Sequence, residues 1–110
     1  MTSTLNWDLN QNNDKMTVRL FGELSRNTLL PLWRQRAFLS TQYSNSSIIE
    51  WNLTALTKID SAGFVALCDF LNDGRAKANK TVCLVNAPQQ IFTLADLVGL
   101  SDWIKLFAQN

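Results

Sequence analysis

The stretch that decides the fold is residues 59–71, which read Ile-Asp-Ser-Ala-Gly-Phe-Val-Ala-Leu-Cys-Asp-Phe-Leu. Within it, Phe64, Leu67, Cys68 and Leu71 occupy positions i, i+3, i+4 and i+7, which gives a helix one continuous apolar stripe. We therefore predict a helix from about Ser61 to Ala78 that packs this stripe on a sheet. Its polar face is predicted to carry Asp69, Asn72, Asp73 and Arg75.

Two segments upstream alternate apolar and polar residues, which is the pattern of half-buried strands. The polar stretch at residues 10–14 between them has the composition of a turn. Together they predict an antiparallel hairpin whose second strand ends at Gly22. The apolar positions of the two strands are Leu5, Trp7 and Leu9, and Met16, Val18 and Leu20.

A first helix is predicted after the hairpin. Ser25 or Asn27 can cap it, and Pro31 suits its first turn because the N–H that proline lacks would be unpaired there anyway. Arg34 and Arg36 are assigned to the solvent side of this helix. Its apolar stripe is predicted to be Leu29, Leu30, Trp33 and Ala37.

Two further strands and a last helix complete the pattern. The third strand carries Ile49, Trp51 and Leu53, with residues 54–58 as a connection to Ile59, and the apolar run 81–85 predicts a strand buried on both faces. The last helix is predicted to start near Pro88 and to stop at Gly99. Residues 102–107 fit a short helix or an edge strand equally well. The inward positions of the last helix are Ile91, Leu94, Ala95 and Val98.

The element order predicts an α/β fold in which an N-terminal β-hairpin leads into βα crossovers. We expect a four-stranded mixed sheet with helices, built as a single domain over residues 1–110. Hydrophobic residues make up 46% of the chain and charged residues 17%, so there is enough apolar material for a core and too little charge for disorder.

The composition excludes several classes of function. The chain has no histidine, which removes the commonest general base and metal ligand, so we expect no catalytic residues, no metal and no cofactor. Its net charge is +1 without a basic run, which argues against nucleic-acid binding. Residues 1–7 do not resemble a signal peptide, and no apolar run is long enough to insert in a bilayer. Two cysteines in apolar runs, Cys68 and Cys83, indicate buried thiols in a reducing, cytoplasmic compartment.

The turn at Asp60-Ser61-Ala62-Gly63 has two interpretations from its residue types alone. Ser61 can be an ordinary helix N-cap whose hydroxyl accepts a hydrogen bond from the N–H near Phe64. Alternatively the turn is a binding surface, because Gly63 permits close approach to the backbone and the helix start favours negative charge. A phosphate on Ser61 would gain from those donors and would be opposed by Asp60.

An ordered set of motifs resembles the STAS domain family, which includes the bacterial anti-sigma-factor antagonists. The set runs over nearly the full length, from about Leu5 to Leu100. The resemblance implies that Ser61 matches the regulatory serine or threonine of an Asp-Ser/Thr-x-Gly motif, to which Asp60 and Gly63 also belong. Ser25 departs from the family, which often has Asp there. The motifs are Phe-Gly-Glu-Leu-Ser at 21–25, Ile-Asp-Ser-Ala-Gly at 59–63, Val-Cys-Leu-Val at 82–85 and Leu-Ala-Asp-Leu-Val-Gly-Leu at 94–100.

Within that family, the Leu-Leu-Pro-Leu-Trp string at 29–33 is similar to the stand-alone STAS subunits of phospholipid-transporting ABC complexes. This implies a cytoplasmic subunit that binds the ATPase subunit, in a complex with a permease and a lipid-binding subunit, and that serves outer-membrane lipid asymmetry. The predicted interface is Ser61 with Asp60, Ala62 and Gly63, extended by Val65 and Asp69 because positions 62, 65 and 69 share a helix face. Burial of Val65 under a neighbouring helix is the alternative for that residue.

Three other functions remain as alternatives. An anti-sigma-factor antagonist switched by phosphorylation of Ser61 would use the same residues. A small hydrolase or transferase lacks its usual side chains, since there is no histidine and no glycine-rich phosphate loop. Direct lipid carriage needs a large cavity, whereas four Trp and six Phe indicate a filled core.

Overall fold

The computed structural model describes residues 3–109, so that Met1, Thr2 and Asn110 of the predicted domain lie outside the described part. The predicted element order is observed, with two additions at the end of the chain. The strands are β1 (Leu5–Asn12), β2 (Lys15–Leu24), β3 (Ile48–Ile59), β4 (Thr81–Val85) and β5 (Ala108–Gln109). The helices are α1 (Leu30–Arg34), α2 (Arg36–Gln42), α3 (Ser61–Asn72), α4 (Gln89–Leu97) and α5 (Ser101–Lys105).

The strands form one mixed sheet in the order β1-β2-β3-β4-β5. β1 and β2 are the predicted antiparallel hairpin, and the pairs β2/β3, β3/β4 and β4/β5 are parallel. The four predicted strands are thus confirmed, and β5 is a fifth strand of two residues at the edge of the sheet. The tail at 102–107, which fitted either a helix or a strand, is helix α5 followed by a turn, and β5 follows it at the free edge of β4.

Strands β2 and β3 extend further than predicted, toward the start of α3. Gly22 does not end β2 but lies within it, with a φ of +93°. A Cβ at this position would lie 2.5 Å from the Thr4 carbonyl oxygen. The pairing shifts register on either side of this glycine and continues to Leu24. Residues 54–58 are therefore part of β3, paired with the end of β2, and are not a connection.

The first helical region departs from the single predicted helix. Pro31 lies in the first turn as predicted, but Leu29 is the N-cap residue and the helix breaks at Gln35 into α1 and α2. Ser25 and Asn27 do not cap it; Ser25 is buried in the preceding turn, where its hydroxyl donates to Glu23. The buried residues are Leu32 in α1 and Leu39 in α2, whereas Leu30 and Ala37 of the predicted stripe are exposed.

The core lies on the sheet face that α3 covers. The predicted inward residues of β2 and β3 are buried in it, whereas in β1 Leu5 and Trp7 are only partly buried and Leu9 is exposed, because β1 is the edge strand. Phe64, Leu67 and Leu71 are buried as predicted, while Cys68 is only partly covered and Cys83 is buried. α3 continues into one π-helical turn, Asp73–Lys77, so the helical segment ends near the predicted Ala78. In α4, Ile91 and Ala95 face inward, but Val98 is 57% exposed beyond the helix end. Gly99, with φ +75°, stops the helix as predicted.

Candidate functional site

The cap of α3 is Asp60, not Ser61 as predicted. One Asp60 carboxylate oxygen accepts from the Gly63 N–H at 2.8 Å, and the Asp60 carbonyl accepts from the Phe64 N–H at 2.9 Å. The other carboxylate oxygen accepts from the Arg26 N–H at 3.0 Å. Asp60 has the extended backbone of an N-cap residue, which places Ser61 one step later, inside the first turn. The Asp60 carboxylate thus fastens the β2–α1 loop to the start of α3.

Ser61 is left free by this arrangement. Its side chain is exposed, and its hydroxyl makes no hydrogen bond to any residue within 3–109. The N–H groups of Ser61 and Ala62 belong to the first turn of α3, where no preceding turn supplies an acceptor. The start of α3 therefore presents a hydroxyl and two backbone donors to an approaching molecule.

Gly63 is buried and packs against the protein itself. A Cβ at this position would collide with the carbonyl oxygen of Leu24 and would lie 2.7 Å from its carbonyl carbon. The close backbone approach predicted for Gly63 is therefore made by the end of β2. Gly63 lets α3 start directly on the sheet and offers no surface to a partner.

Three predicted residues lie together on one open face of α3. Ala62, Val65 and Asp69 line a shallow groove of about 230 Å³ between α1 and α3. Val65 is 58% exposed, so the alternative that a neighbouring helix buries it is wrong. The opposite wall comes from Leu29 and Trp33 of the first helical region. Asp60, Ser61 and Gly63 are not part of this lining; Ser61 stands at its edge, one residue before Ala62.

The α1 wall of the groove was not predicted as functional. Leu29 and Trp33 are apolar residues at helical spacing, and such a stripe is assigned to a core by pattern alone. In the structure both are only partly buried, and their uncovered parts face the groove. A signal was present in the sequence: the same residues belong to the 29–33 string that distinguishes the family branch.

An ion-pair cluster lies on the far side of Trp33. The Arg36 guanidinium donates to both carboxylate oxygens of Asp73, at 2.6 and 2.9 Å, and stacks over the Trp33 ring at 4.5 Å. Trp33 in turn meets Phe70 edge-on, with centroids 5.7 Å apart. Lys77 approaches Asp73 at 3.3 Å. The cluster holds Trp33, and with it the wall of the groove, in a fixed position.

This cluster corrects the assignment of Arg36 and Asp73 to solvent-facing positions. The Asp73 side chain is only 4% exposed, because the opposite charge of Arg36 lets both groups leave water together. Burial acts to raise the pKa of Asp73, but the hydrogen bonds from Arg36 and Lys77 outweigh it and hold that pKa below the ordinary value. Asp73 therefore stays ionised at neutral pH.

The environment of both cysteines disfavours the thiolate form. Burial, with a smaller contribution from Asp69, raises the pKa of the Cys68 thiol to about 11, and burial also raises the pKa of Cys83. Both thiols are thus protonated at neutral pH and are weak nucleophiles. Within residues 3–109, acidic and cysteine side chains do not group into a metal site, and none of the helices combines the length and apolar character needed to cross a membrane.

Comparison with known proteins places the chain among its relatives. The STAS domain family profile matches residues 6–109. The chain is 64% identical over 104 residues to the intermembrane phospholipid transport system binding protein MlaB of Haemophilus influenzae, covering 94% of this chain and 98% of that protein. It is 29% identical over 100 residues to the Escherichia coli protein of the same name, covering 91% and 93%.

A solved structure supports the same relationship at the level of the fold. The unphosphorylated anti-sigma factor antagonist SpoIIAA superposes with a TM-score of 0.65 at 25% identity, covering 96% of this chain and 89% of that one. The resemblance stated from the ordered motifs is therefore confirmed along nearly the whole sequence. The chain belongs to the STAS domain family.

Proposed function

We propose that this chain is a non-catalytic, cytoplasmic subunit of an Mla-type phospholipid ABC transporter and that it binds the ATPase subunit through the α1/α3 groove and Ser61. The permease and the lipid-binding subunit would complete the assembly, as MlaE and MlaD do in the system that the resemblance implies. The supporting observation is the exposed Val65 in an open apolar groove beside an unengaged serine, in a chain 64% identical to an MlaB.

The groove suits a protein partner. It is shallow and open, with apolar walls from Leu29, Trp33 and Val65 and a single carboxylate, Asp69, at one end. A partner helix could bury Val65 and set its register by hydrogen bonds to the Ser61 hydroxyl and the free N–H groups of the first turn. Apolar contact would supply most of the affinity, and the polar contacts the orientation.

Binding of this kind needs no reaction in this chain. If the chain binds only the folded, assembled form of the ATPase, it stabilises that form by mass action. The stabilisation free energy grows with the ratio of the free concentration of the chain to its dissociation constant. The chain would then stabilise the assembled transporter, and its loss would lower the amount or the activity of assembled ATPase.

Two substitutions test the groove. Val65→Arg puts a charge and a long side chain into its centre, and Ser61→Glu adds a negative side chain at its edge. Both positions are exposed, so we expect the domain to stay folded and its affinity for the purified ATPase to fall at least roughly 100-fold, because an unpaired charge would be buried at the interface.

Leu97→Arg is the matched control, since Leu97 is 76% exposed on α4 and the chemical change is similar. We expect it to bind as the wild type does. Wild-type affinity in both Val65→Arg and Ser61→Glu, with intact circular dichroism, would refute the assignment of this surface.

A second candidate function is that of an anti-sigma-factor antagonist switched by phosphorylation of Ser61. The observation that favours it is the free, exposed Ser61 hydroxyl beside first-turn N–H donors, on a fold shared with SpoIIAA. Intact mass spectrometry of the protein from its native cells separates the two. A population heavier by one phosphate, lost in Ser61→Ala, favours the switch, and a single unmodified mass favours the transporter subunit.

A further inference from the structure

A cationic hollow lies next to the groove, on the other side of Trp33. It measures about 520 Å³ and is lined by Trp33, Arg34, Arg36, Ser40, Asp73 and Lys77, together with Ala37. Its walls come from α1, α2 and the π-helical turn that ends α3. The break between α1 and α2 and the π-helical turn both border it, and π-helical turns are frequent at functional sites.

The charges of this hollow do not cancel. Arg36 and Lys77 share the single carboxylate of Asp73, and Arg34 pairs with no acidic side chain within residues 3–109. Three cations against one anion leave an excess of two positive charges. Arg34 and Lys77 are exposed, and the Ser40 hydroxyl adds a hydrogen-bond donor at the rim. The hollow can therefore receive a small anionic group without the loss of an existing ion pair.

The hollow adjoins the groove, and Trp33 separates them. Trp33 lines both, and the guanidinium of Arg36 covers the Trp33 ring on the hollow side. A segment lying in the groove along α3, from Ala62 past Asp69, runs toward Asp73 and Lys77 on the same helical segment. Such a segment would meet Arg34 and Lys77 as it leaves the apolar part of the surface.

We propose that the hollow binds a carboxylate-bearing segment of the same partner that occupies the groove. This inference rests on the proposed function and adds the chemistry of the partner: apolar side chains where it crosses Val65, followed by Asp or Glu side chains beyond Trp33. A carboxylate suits the site because arginine can bind one with two parallel hydrogen bonds.

Anionic lipid fits the hollow less well. Electrostatic attachment to a membrane surface uses clusters of about four to eight basic residues, and each contributes only a little. Here the excess is two positive charges in a concave site, and the chain as a whole carries only +1. Two charges match one or two carboxylates.

Arg34→Glu tests the inference with the purified ATPase. Because Arg34 pairs with no described carboxylate, its replacement costs the fold no ion pair, and the double variant Arg34→Glu/Lys77→Gln extends the test. We expect Arg34→Glu to bind roughly tenfold more weakly, because the attraction of Arg34 for the partner's carboxylates is replaced by repulsion. The double variant should bind more weakly still. The affinity of the wild type should also fall more steeply with salt than that of Arg34→Glu.

Lys105→Glu is the control, since Lys105 is exposed on α5, does not line the hollow and undergoes the same change of charge. We expect binding within about twofold of the wild type, because charges farther than about 8 Å are screened at physiological salt. Equal affinities of Arg34→Glu and Lys105→Glu, while Val65→Arg abolishes binding, would overturn this inference and leave the proposed function standing. If Val65→Arg binds normally, the proposed function itself fails. Binding of the free chain to vesicles containing phosphatidylglycerol, lost in Arg34→Glu, would overturn the inference in favour of lipid.

Discussion

Removal of the Asp60 carboxylate is expected to destabilise the domain, whereas removal of the Ser61 hydroxyl is not. Asp60→Ala eliminates two hydrogen bonds, to the N–H groups of Gly63 and Arg26. Loss of an N-cap costs about 1 kcal/mol, and loss of the second, charge-assisted bond at a largely exposed position costs about 1 kcal/mol more. We therefore expect a free energy of unfolding lower by about 2 kcal/mol.

Two further variants sharpen this prediction. Asp60→Asn keeps one acceptor oxygen for two donors, so its free energy of unfolding should fall by about half as much as that of Asp60→Ala. Ser61→Ala removes a side chain without a described partner and should stay within about 0.5 kcal/mol of the wild type. The order of stability should thus be wild type and Ser61→Ala, then Asp60→Asn, then Asp60→Ala.

Urea unfolding followed by tryptophan fluorescence measures these differences, since Trp51 lies in the core and changes its surroundings on unfolding. A loss of 2 kcal/mol moves the midpoint by about 1 M urea for a domain of this size, and lowers the melting temperature by about 8 °C. If Ser61→Ala lowered the free energy of unfolding as much as Asp60→Ala does, then Ser61 would be the cap. The conclusion that its hydroxyl is available to a partner would then be wrong.

Two other predictions concern groups whose roles the structure redefines. Gly63→Ala should destabilise the domain by about 2 kcal/mol or more, because its Cβ meets the Leu24 carbonyl group; the same urea assay measures this, and an unchanged midpoint would contradict the contact. Asp73→Asn should cost about 2 kcal/mol at pH 7, where the ionised Asp73 pairs with Arg36. Since the pKa of Asp73 is lowered in the folded state, its contribution is present above the unfolded value of about 3.9 and is lost as the pH falls through the folded value. The stability difference between wild type and Asp73→Asn should therefore shrink from pH 5 to pH 3, and a constant difference would argue against the ion pair.

The sequence predicted the elements whose burial has a regular period. β2 alternates because one of its faces is covered, and α3 shows its stripe because it packs on the core. The tail at 102–107 could not be decided because the five-residue helix α5 is too short to show a period. Residues 54–58 were misassigned because their pairing with β2 involves two register shifts, one between Arg19 and Phe21 and one between Gly22 and Glu23, which no local pattern reveals.

The candidate site was predicted in part for the same physical reasons. Positions 62, 65 and 69 share a helix face by spacing alone, and the structure leaves that face open. The cap was misplaced by one residue because Asp and Ser are equally good N-caps and the sequence places them side by side. Arg36 and Asp73 were assigned to solvent because charged residues are usually exposed, and only the tertiary structure brings two residues 37 positions apart together. The α1 wall, with Leu29 and Trp33, was assigned to the core because a groove is a property of two helices and not of either one.

Recovery of partners from the native cell tests the central claim most directly. Tagged wild type, Val65→Arg and Leu97→Arg would each be expressed in place of the chromosomal copy, and the proteins that co-purify would be quantified by mass spectrometry. We expect the ATPase, permease and lipid-binding subunits of one ABC transporter with the wild type and with Leu97→Arg, and their depletion with Val65→Arg. Equal recovery of the transporter with all three baits, or recovery of an anti-sigma factor in its place, would contradict docking of an ABC ATPase at the α1/α3 groove.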